Sequence, residues 1–347
     1  LSGKSFIPLL SSFACAIPGV MAARVIENRR DRLTTIFVAP LMSCSARLPV
    51  YTLLTAAFVP ARSYLGGLVG LRGLVLFGMY AVGVVVAAAT ALARKRTVLR
   101  QPAPPFVMEL PPYRWPSPGV VLHRVVERAW DFLHSAGTLI LAVSVLTWGA
   151  LHYPRLPAQV AAPLAAERDR IQSAHDAAEA AGDTSTAERL SAELTRADDR
   201  LAGAQRRQSL LGRAGRLIEP AVRPLGWDWR IGSAVLAAFP AREVVVASLG
   251  VIFEAGDGED DETGRLREVL QSATWEGTSR PLFNVPVALS LMVFFALCMQ
   301  CASTLTVMRR ETGGWAWPAL SFVYMTGLAY LAALVTYQVG IRLMGGA

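Results

Sequence analysis

Apolar stretches of helical length, separated by short basic loops, fall at 5–22, 33–59, 68–93, 135–152, 230–253, 283–308 and 315–341. A bilayer's hydrocarbon core takes about 20 mostly apolar residues as helix, so the last six stretches predict six crossings. The first, SFIPLLSSFACAIPGVMA, is interrupted by Pro8, Pro18 and Gly19, which predicts a broken or re-entrant helix. Between 153 and 228 the pattern turns polar. There Ile171, Ala178, Leu190, Leu194 and Leu201 recur at helical or heptad intervals, and Gly182-Asp183-Thr184 separates two runs. This predicts an antiparallel helical hairpin, its second helix opened by a capping box at Ser185-Thr186-Ala187-Glu188. The expected fold class is all-α and polytopic: about six transmembrane helices, a re-entrant or broken helix, and a helical-hairpin insertion. The expected units are 1–93, a cytoplasmic linker at 94–134, a span at 135–152, an extracytoplasmic insertion at 153–228, and a second membrane region at 229–347.

Composition agrees with a membrane protein. Of 347 residues, 53% are hydrophobic and only 17% charged, too apolar for an ordinary soluble chain. The net charge of +8 would suit a nucleic-acid partner, but the arginines lie in loops beside apolar spans, where they orient a membrane protein. The loop 24–32, RVIENRRDR, carries four of them and is expected in the cytoplasm. The arginine- and proline-rich stretch 94–131 reads as a cytoplasmic linker ending in a surface helix, VLHRVVERAWDFL. The acidic run 254–268 lacks the glycine and glutamate positions of a calcium loop and reads as a flexible cytoplasmic linker. Gly3-Lys4-Ser5 lacks the upstream glycine and the strand of a phosphate-binding loop. The chain opens on Leu1 with no signal peptide, which suggests a piece of something longer.

Four cysteines, Cys15, Cys44, Cys298 and Cys301, all lie inside apolar segments, so structural disulfides are not expected. Residues 33–59 place Ser43, Cys44, Ser45 and Arg47 at membrane depth between Pro40 and Pro49. A proline ring removes an amide donor and displaces the carbonyl four residues back. Pro49 is therefore expected to free the carbonyl of Ser45, and Pro18 that of Ala14 beside Cys15. Soft sulfur and bare oxygens facing one point would suit a cation, and discontinuous helices build the ion sites of transporters. Phe239-Pro240-Ala241-Arg242-Glu243 sits near the middle of another span. Ionisable groups there face a pathway or one another: Glu243 either neutralises a passing cation or pairs with an arginine such as Arg47. Cys298 and Cys301 are three apart on one helix face.

The segment GKSFIPLLSSFACAIPGVMAARVIENRRDRLTTIFVAPLMSCSARLPVYTLL resembles the first gate motif of the FeoB ferrous iron transporters, in which a cysteine followed by a proline, then R-x-I-E, then C-x-A-R-L-P-V-Y recur in that order. FPAREVVVASLGVIF at 239–253 resembles the family's K/R-E-V-V-V segment, and LCMQCASTLTVMRRETGGWAWP at 297–318 its second gate motif. The resemblance implies a permease portion that moves Fe2+ across the bacterial cytoplasmic membrane. It implies Cys15, Cys44 and Cys301 as ligands or gate residues, Ser43, Ser45 and Thr304 as oxygen donors, and Glu27 and Glu243 as charge partners. No stably bound cofactor and no enzymatic activity are expected of this chain. GTP and Mg2+ would belong to the family's amino-terminal GTPase domain, absent here, in the same or a separate chain. The resemblance also suggests a FeoA-like small protein and a homo-oligomer as partners. Two alternatives are a nucleoside-type gate-domain transporter and a structural membrane protein without transport.

Six crossings from a cytoplasmic loop 24–32 return the carboxyl terminus to the cytoplasm and put Arg309-Arg310-Glu311 outside. The two gate segments would then run in opposite directions. A thiol followed nine residues on by arginine, with glutamate close behind, occurs in both (Cys15, Arg24, Glu27; Cys301, Arg310, Glu311), as an inverted repeat would have it.

Overall fold

The computed structural model describes residues 3–64, 69–96, 115–239, 242, 244–253, 262–276, 278–299 and 301–344. The first half holds α1 (Phe6–Ser11), α2 (Ala16–Ala22), α3 (Arg29–Val38), α4 (Leu48–Phe58) and α5 (Leu71–Arg96). Next come α6 (Pro118–Phe132), α7 (Thr138–His152), α8 (Ala158–Ala180), α9 (Thr184–Gln208) and α10 (Leu210–Val222). The last group is α11 (Trp229–Ala237), α12 (Val244–Phe253), α13 (Glu262–Ser272), α14 (Val285–Leu297), α15 (Ala302–Thr312) and α16 (Ala316–Leu343). Two-residue strands β1 (Ser63–Tyr64) and β2 (Val69–Gly70) make one antiparallel pair.

Proline placement explains why the apolar stretches are divided. Pro8, Pro18, Pro49 and Pro286 all fall in the first turn of a helix, where a missing amide costs nothing and the fixed φ favours the helix. Helices α1, α2, α4 and α14 thus each start with a proline in the first turn, whereas α15 restarts without one. Among the described residues, four helical stretches are long and apolar enough to cross a membrane: Arg29–Phe58, Leu71–Arg96, Val285–Thr312 and Ala316–Leu343. The first and third are broken, at 42–44 and 298–301, and α5 and α16 run unbroken.

Two other apolar segments, 5–22 and 230–253, turn back instead of crossing. Lys4 at the head of α1 pairs with Glu27 beyond α2, and Thr35 of α3 bonds Ser5, so α1–α2 is a hairpin that enters and returns at one end. Gly19 lets its arms close: a Cβ there would collide with the Ser12 hydroxyl. The stretch 230–253, expected as a span, is also a hairpin. Arg230 at the start of α11 lies 5.0 Å over the ring of Phe253 at the end of α12, so entry and exit are neighbours. Ten residues of α12 and nine of α11 are each too short for a crossing.

This changes the sidedness. Arg24 grips Glu311 through two hydrogen bonds, one of them 2.8 Å, and Arg94 lies over both Phe37 and Trp317. These residues mark one end, which also carries the basic residues of 29–32, 94–96 and 309–310. At the other end Phe58 stacks on Phe283, Phe253 meets Phe283 edge-on, Gln271 donates to the carbonyl of Ala57, and Gly340 touches Pro286. The expectation that Arg309-Arg310-Glu311 lies opposite the loop 24–32 therefore fails, as does a carboxyl-terminal helix ending on that loop's side. Replacing one crossing by a hairpin removes a reversal, and the positive residues collect at one end as the charge bias requires. Helices α2 and α15 run side by side in the same direction. The inverted halves are instead hairpin, broken span and straight span: α1–α2, α3–α4, α5 against α11–α12, α14–α15, α16.

The polar insertion forms the helical hairpin α8–α9, tied at its foot by Gln205 to the carbonyls of His152 and Pro154. Its second helix is capped by Asp183, which accepts from the Thr186 amide and both neighbouring hydroxyls, in place of the expected box at Ser185. A carboxylate accepts more strongly than a hydroxyl, and Gly182 at φ 74° makes the turn that presents it. Helices α6 and α7 join through one π-helical turn, Leu133–Gly137. The acidic run expected as a linker lies outside the described residues at 254–261, whereas 262–268 begins α13, with Leu266 and Leu270 buried.

Two outcomes follow. With an impermeant maleimide, Glu27→Cys and Arg309→Cys label from one side of the membrane and Ser279→Cys from the other; labelling of the first two from opposite sides contradicts the fold. The hydrogen bonds from Thr186 and Ser185 hold the Asp183 carboxyl below its ordinary value. A depressed folded-state value gives stability that is present above the unfolded carboxyl's pKa of about 3.9 and lost as pH falls below it. Helicity of α9, followed by circular dichroism against Asp183→Ala, is expected to drop only on that acid side.

Candidate functional site

Three thiols occupy the same kind of position. Cys15, Cys44 and Cys301 each sit in extended backbone immediately before a helical segment restarts, and in none does the sulfur cap that segment. Cys298 ends α14 and is fully buried, whereas the other three are half-buried; none forms a disulfide.

Side-chain bonds draw the breaks together in pairs. The Ser45 hydroxyl donates to the carbonyl of Ala14 at 3.0 Å, joining the Cys44 break to the Cys15 break. The Ala14 carbonyl is thus outside the helix, as Pro18 requires. A guanidinium nitrogen of Arg242, in the turn between α11 and α12, donates to the carbonyl of Cys298. Arg242 lies within electrostatic reach of Cys44, Cys298, Cys301 and Tyr51, and Arg47 within reach of Arg242, Cys44 and Cys298. Because α2 and α15 run parallel, Cys15 and Cys301 stand at the same end of that pair, at the level of the breaks.

The oxygens are disposed differently from the expectation. Arg47, 1% exposed, donates to the carbonyls of Pro40 at 3.0 Å, Met42 at 3.1 Å and Leu41 at 3.3 Å, and to the Ser43 hydroxyl at 3.3 Å. These are the carbonyls left over where α3 runs out, and a guanidinium fork suits several at once. The Ser45 carbonyl, expected to be freed by Pro49, takes the amide of Leu48 in a tighter turn. At the Cys44 break, then, carbonyl oxygens hold a tethered cation, and the sulfur of Cys44 has no such tie. Gly83 lets α5 close over this knot: a Cβ there would lie 2.8 Å from the Ser43 hydroxyl.

Of the other expected residues, Thr304 is buried in the first turn of α15 beside Ser303, whose hydroxyl is buried without a partner. Glu27 is not drawn to the breaks. Its side chain is 87% exposed at the basic end, bonded to Lys4 at 2.8 Å, and that bond and charge hold its carboxyl below the ordinary value. Glu243 lies outside the described residues. Two methionines escaped the sequence reading: Met42 and Met299, both buried, adjoin the Cys44 and Cys298 breaks, and Met299 sulfur faces the Ser321 hydroxyl at 4.0 Å. The signal was present as a methionine within two residues of a cysteine in both Leu41-Met42-Ser43-Cys44 and Cys298-Met299-Gln300-Cys301.

Re-entrant hairpins from opposite ends, broken spans and thiols at the breaks define a polytopic gate-type membrane protein. Residues 1–58 and 133–315 match the Gate model, described as nucleoside recognition, and 76–128 match the model of the ferrous iron transport protein B C terminus. A protein named Fe(2+) transporter FeoB from Leptospira interrogans is 38% identical over 98% of the chain and 43% of its own length. Its namesake from Helicobacter pylori is 33% identical over 97% of the chain and 48% of its own length. A Fe(2+) transport protein A/Fe(2+) transporter FeoB fusion protein from Porphyromonas gingivalis is 35% identical, with shares of 98% and 38%. The chain belongs to the FeoB family, and it spans less than half the length of these relatives. No solved structure matches. The nucleoside-type alternative is not favoured, since the relatives that cover the chain bear iron-transporter names.

Removing Arg47 leaves at least three buried carbonyls unmet. Arg47→Ala is expected to destabilise the fold by about 2–4 kcal/mol, with Arg47→Lys between it and the parent, in thermal unfolding in detergent. An unfolding temperature unchanged in Arg47→Ala would show that the break holds itself.

Proposed function

We propose that this chain forms the permeation path of a ferrous iron uptake transporter, with Fe2+ as cargo. The reading rests on one arrangement: half-buried thiols at three helix breaks, with Ser45 tied to the carbonyl of Ala14 and Arg242 to that of Cys298, approached by hairpins from both ends. Ferrous iron is borderline in softness, and sulfur ligands of two or three breaks would hold it without the closed four-cysteine cage that traps a metal. Cys44 and Cys301 are the principal ligands in this reading, Cys15 completes the path toward the basic end, and Ser45 and Thr304 add oxygen. Ser43 positions Arg47. Metal binding to a thiol releases its proton, and the sulfur so charged balances the cationic Arg47 and Arg242 as well as the ion.

By this reading the basic end faces the cytoplasm, so the chain lies in a bacterial cytoplasmic membrane and α8–α9 stands outside. Glu243, in the turn with Arg242, serves as a charge partner of the passing ion; Glu27 braces the hairpin mouth through Lys4. The chain itself has no enzymatic role, and GTP with Mg2+ would act through the part of the relatives that it does not span. The fused transport protein A of the Porphyromonas relative supports a small FeoA-like partner, and self-association remains compatible with the exposed apolar faces of α5 and α16.

The test is anaerobic uptake of radiolabelled ferrous iron into vesicles bearing the full-length protein at matched levels. Cys44→Ser and Cys301→Ser are each expected to lower uptake about tenfold or more, and Cys298→Ser much less. Undiminished uptake in both of the first two variants would place the path elsewhere.

A further inference from the structure

Beneath the foot of the helical arm, at the end opposite the Arg24–Glu311 pair, the protein forms a half-open cavity of about 590 Å³. Its walls come from three places: Arg206 and Arg207 of α9, both mouths of the re-entrant hairpin α11–α12 (Trp229, Arg230 and Phe253), and the loop after α13, which brings Trp275 and Glu276. This composition is wrong for a divalent cation. Three guanidinium groups line the space against a single wall carboxylate, Glu276, which holds Arg207 at 3.0 Å, while Asp228 holds Arg230 at 2.6 Å. Two more arginines crowd in from behind, Arg216 over the Trp229 ring and Arg223 over the Trp275 ring. Trp229 adds an independent sign: the residue is only 6% exposed, and its indole N–H is buried without an acceptor. Arg230 also donates to the carbonyl of Thr274, but the wall still carries more guanidinium than carboxylate charge.

We propose that this cavity binds a phosphate-bearing ligand, gripped by Arg206, Arg207 and Arg230 and flanked by Trp229 and Trp275. Guanidinium forks match phosphate oxygens in pairs. The cavity is larger than a bare ion needs, in the size range of small-molecule sites. Tryptophans at the membrane end of short helices sit at headgroup depth, where lipid phosphates lie; a soluble organic phosphate offers the same chemistry. Either occupant would tie the arm's foot to both mouths of the hairpin whose turn carries Arg242, and so stiffen it.

The experiment measures binding to the purified full-length protein, by native mass spectrometry with phosphatidylglycerol or phosphatidylcholine, and by tryptophan fluorescence with glycerol phosphate in lipid-free detergent. The double variant Arg206→Gln/Arg207→Gln is expected to weaken binding about tenfold or more, and Glu276→Gln, which unties Arg207, to strengthen it several-fold. Dependence on these residues with phosphatidylglycerol alone identifies a lipid, and with glycerol phosphate a soluble source. If the double variant, with an unfolding temperature equal to the parent's, binds every probe as the parent does, the proposal is overturned.

Discussion

A helix broken inside a bilayer leaves carbonyls and amides that no water can satisfy, and the architecture follows from how this chain meets that demand. At the break between α3 and α4 the answer is Arg47, whose guanidinium takes the carbonyls of Pro40, Leu41 and Met42. At the break between α14 and α15 it is Arg242, which takes the carbonyl of Cys298. Each broken span is thereby pinned by a side chain carrying the same sign of charge as the proposed cargo. In the proposed reading a cation there is held by groups the arginines do not occupy, the thiols of Cys44 and Cys301.

The same constraint shapes the two inverted halves. A re-entrant hairpin can end at mid-depth only if its turn is received by another break: Ser45 receives the turn of α1–α2 at Ala14, and Arg242 carries the turn of α11–α12 to Cys298. The hairpins therefore depend on the broken spans, and the straight helices α5 and α16 close each half from outside. Gly83 and Gly340 permit the close approaches, at Ser43 and at Pro286. Arg24 with Glu311 then locks the first hairpin to the second gate helix at the basic end.

Much of this was legible in the chain. Proline positions told where helices restart, and the polar residues at 43–47 marked a depth where something had to be satisfied. The heptad-like leucines foretold the arm, and the gate motifs foretold the family. The sidedness was misread because hydropathy treats 230–253 as one continuous apolar run: it cannot tell a span from a hairpin that turns at mid-depth, and only Arg230 over Phe253 shows that both ends are neighbours. The pairing of Arg24 with Glu311, 287 positions apart, was equally invisible, so Cys15 and Cys301 were matched as inverted when they head parallel helices. The oxygen donors were overcounted because a proline's freed carbonyl was taken as available, whereas Leu48 and Arg47 claim those at the Cys44 break.

In the proposed path sulfur, and not carbonyl oxygen, holds the passing ion. X-ray absorption at the iron edge, on full-length protein loaded anaerobically with Fe2+, reads that directly. A sulfur shell at bonding distance, of at least two scatterers and reduced in Cys44→Ser/Cys301→Ser, is the result this structure calls for. A first shell of oxygen and nitrogen alone, unchanged in the same variant, would contradict it.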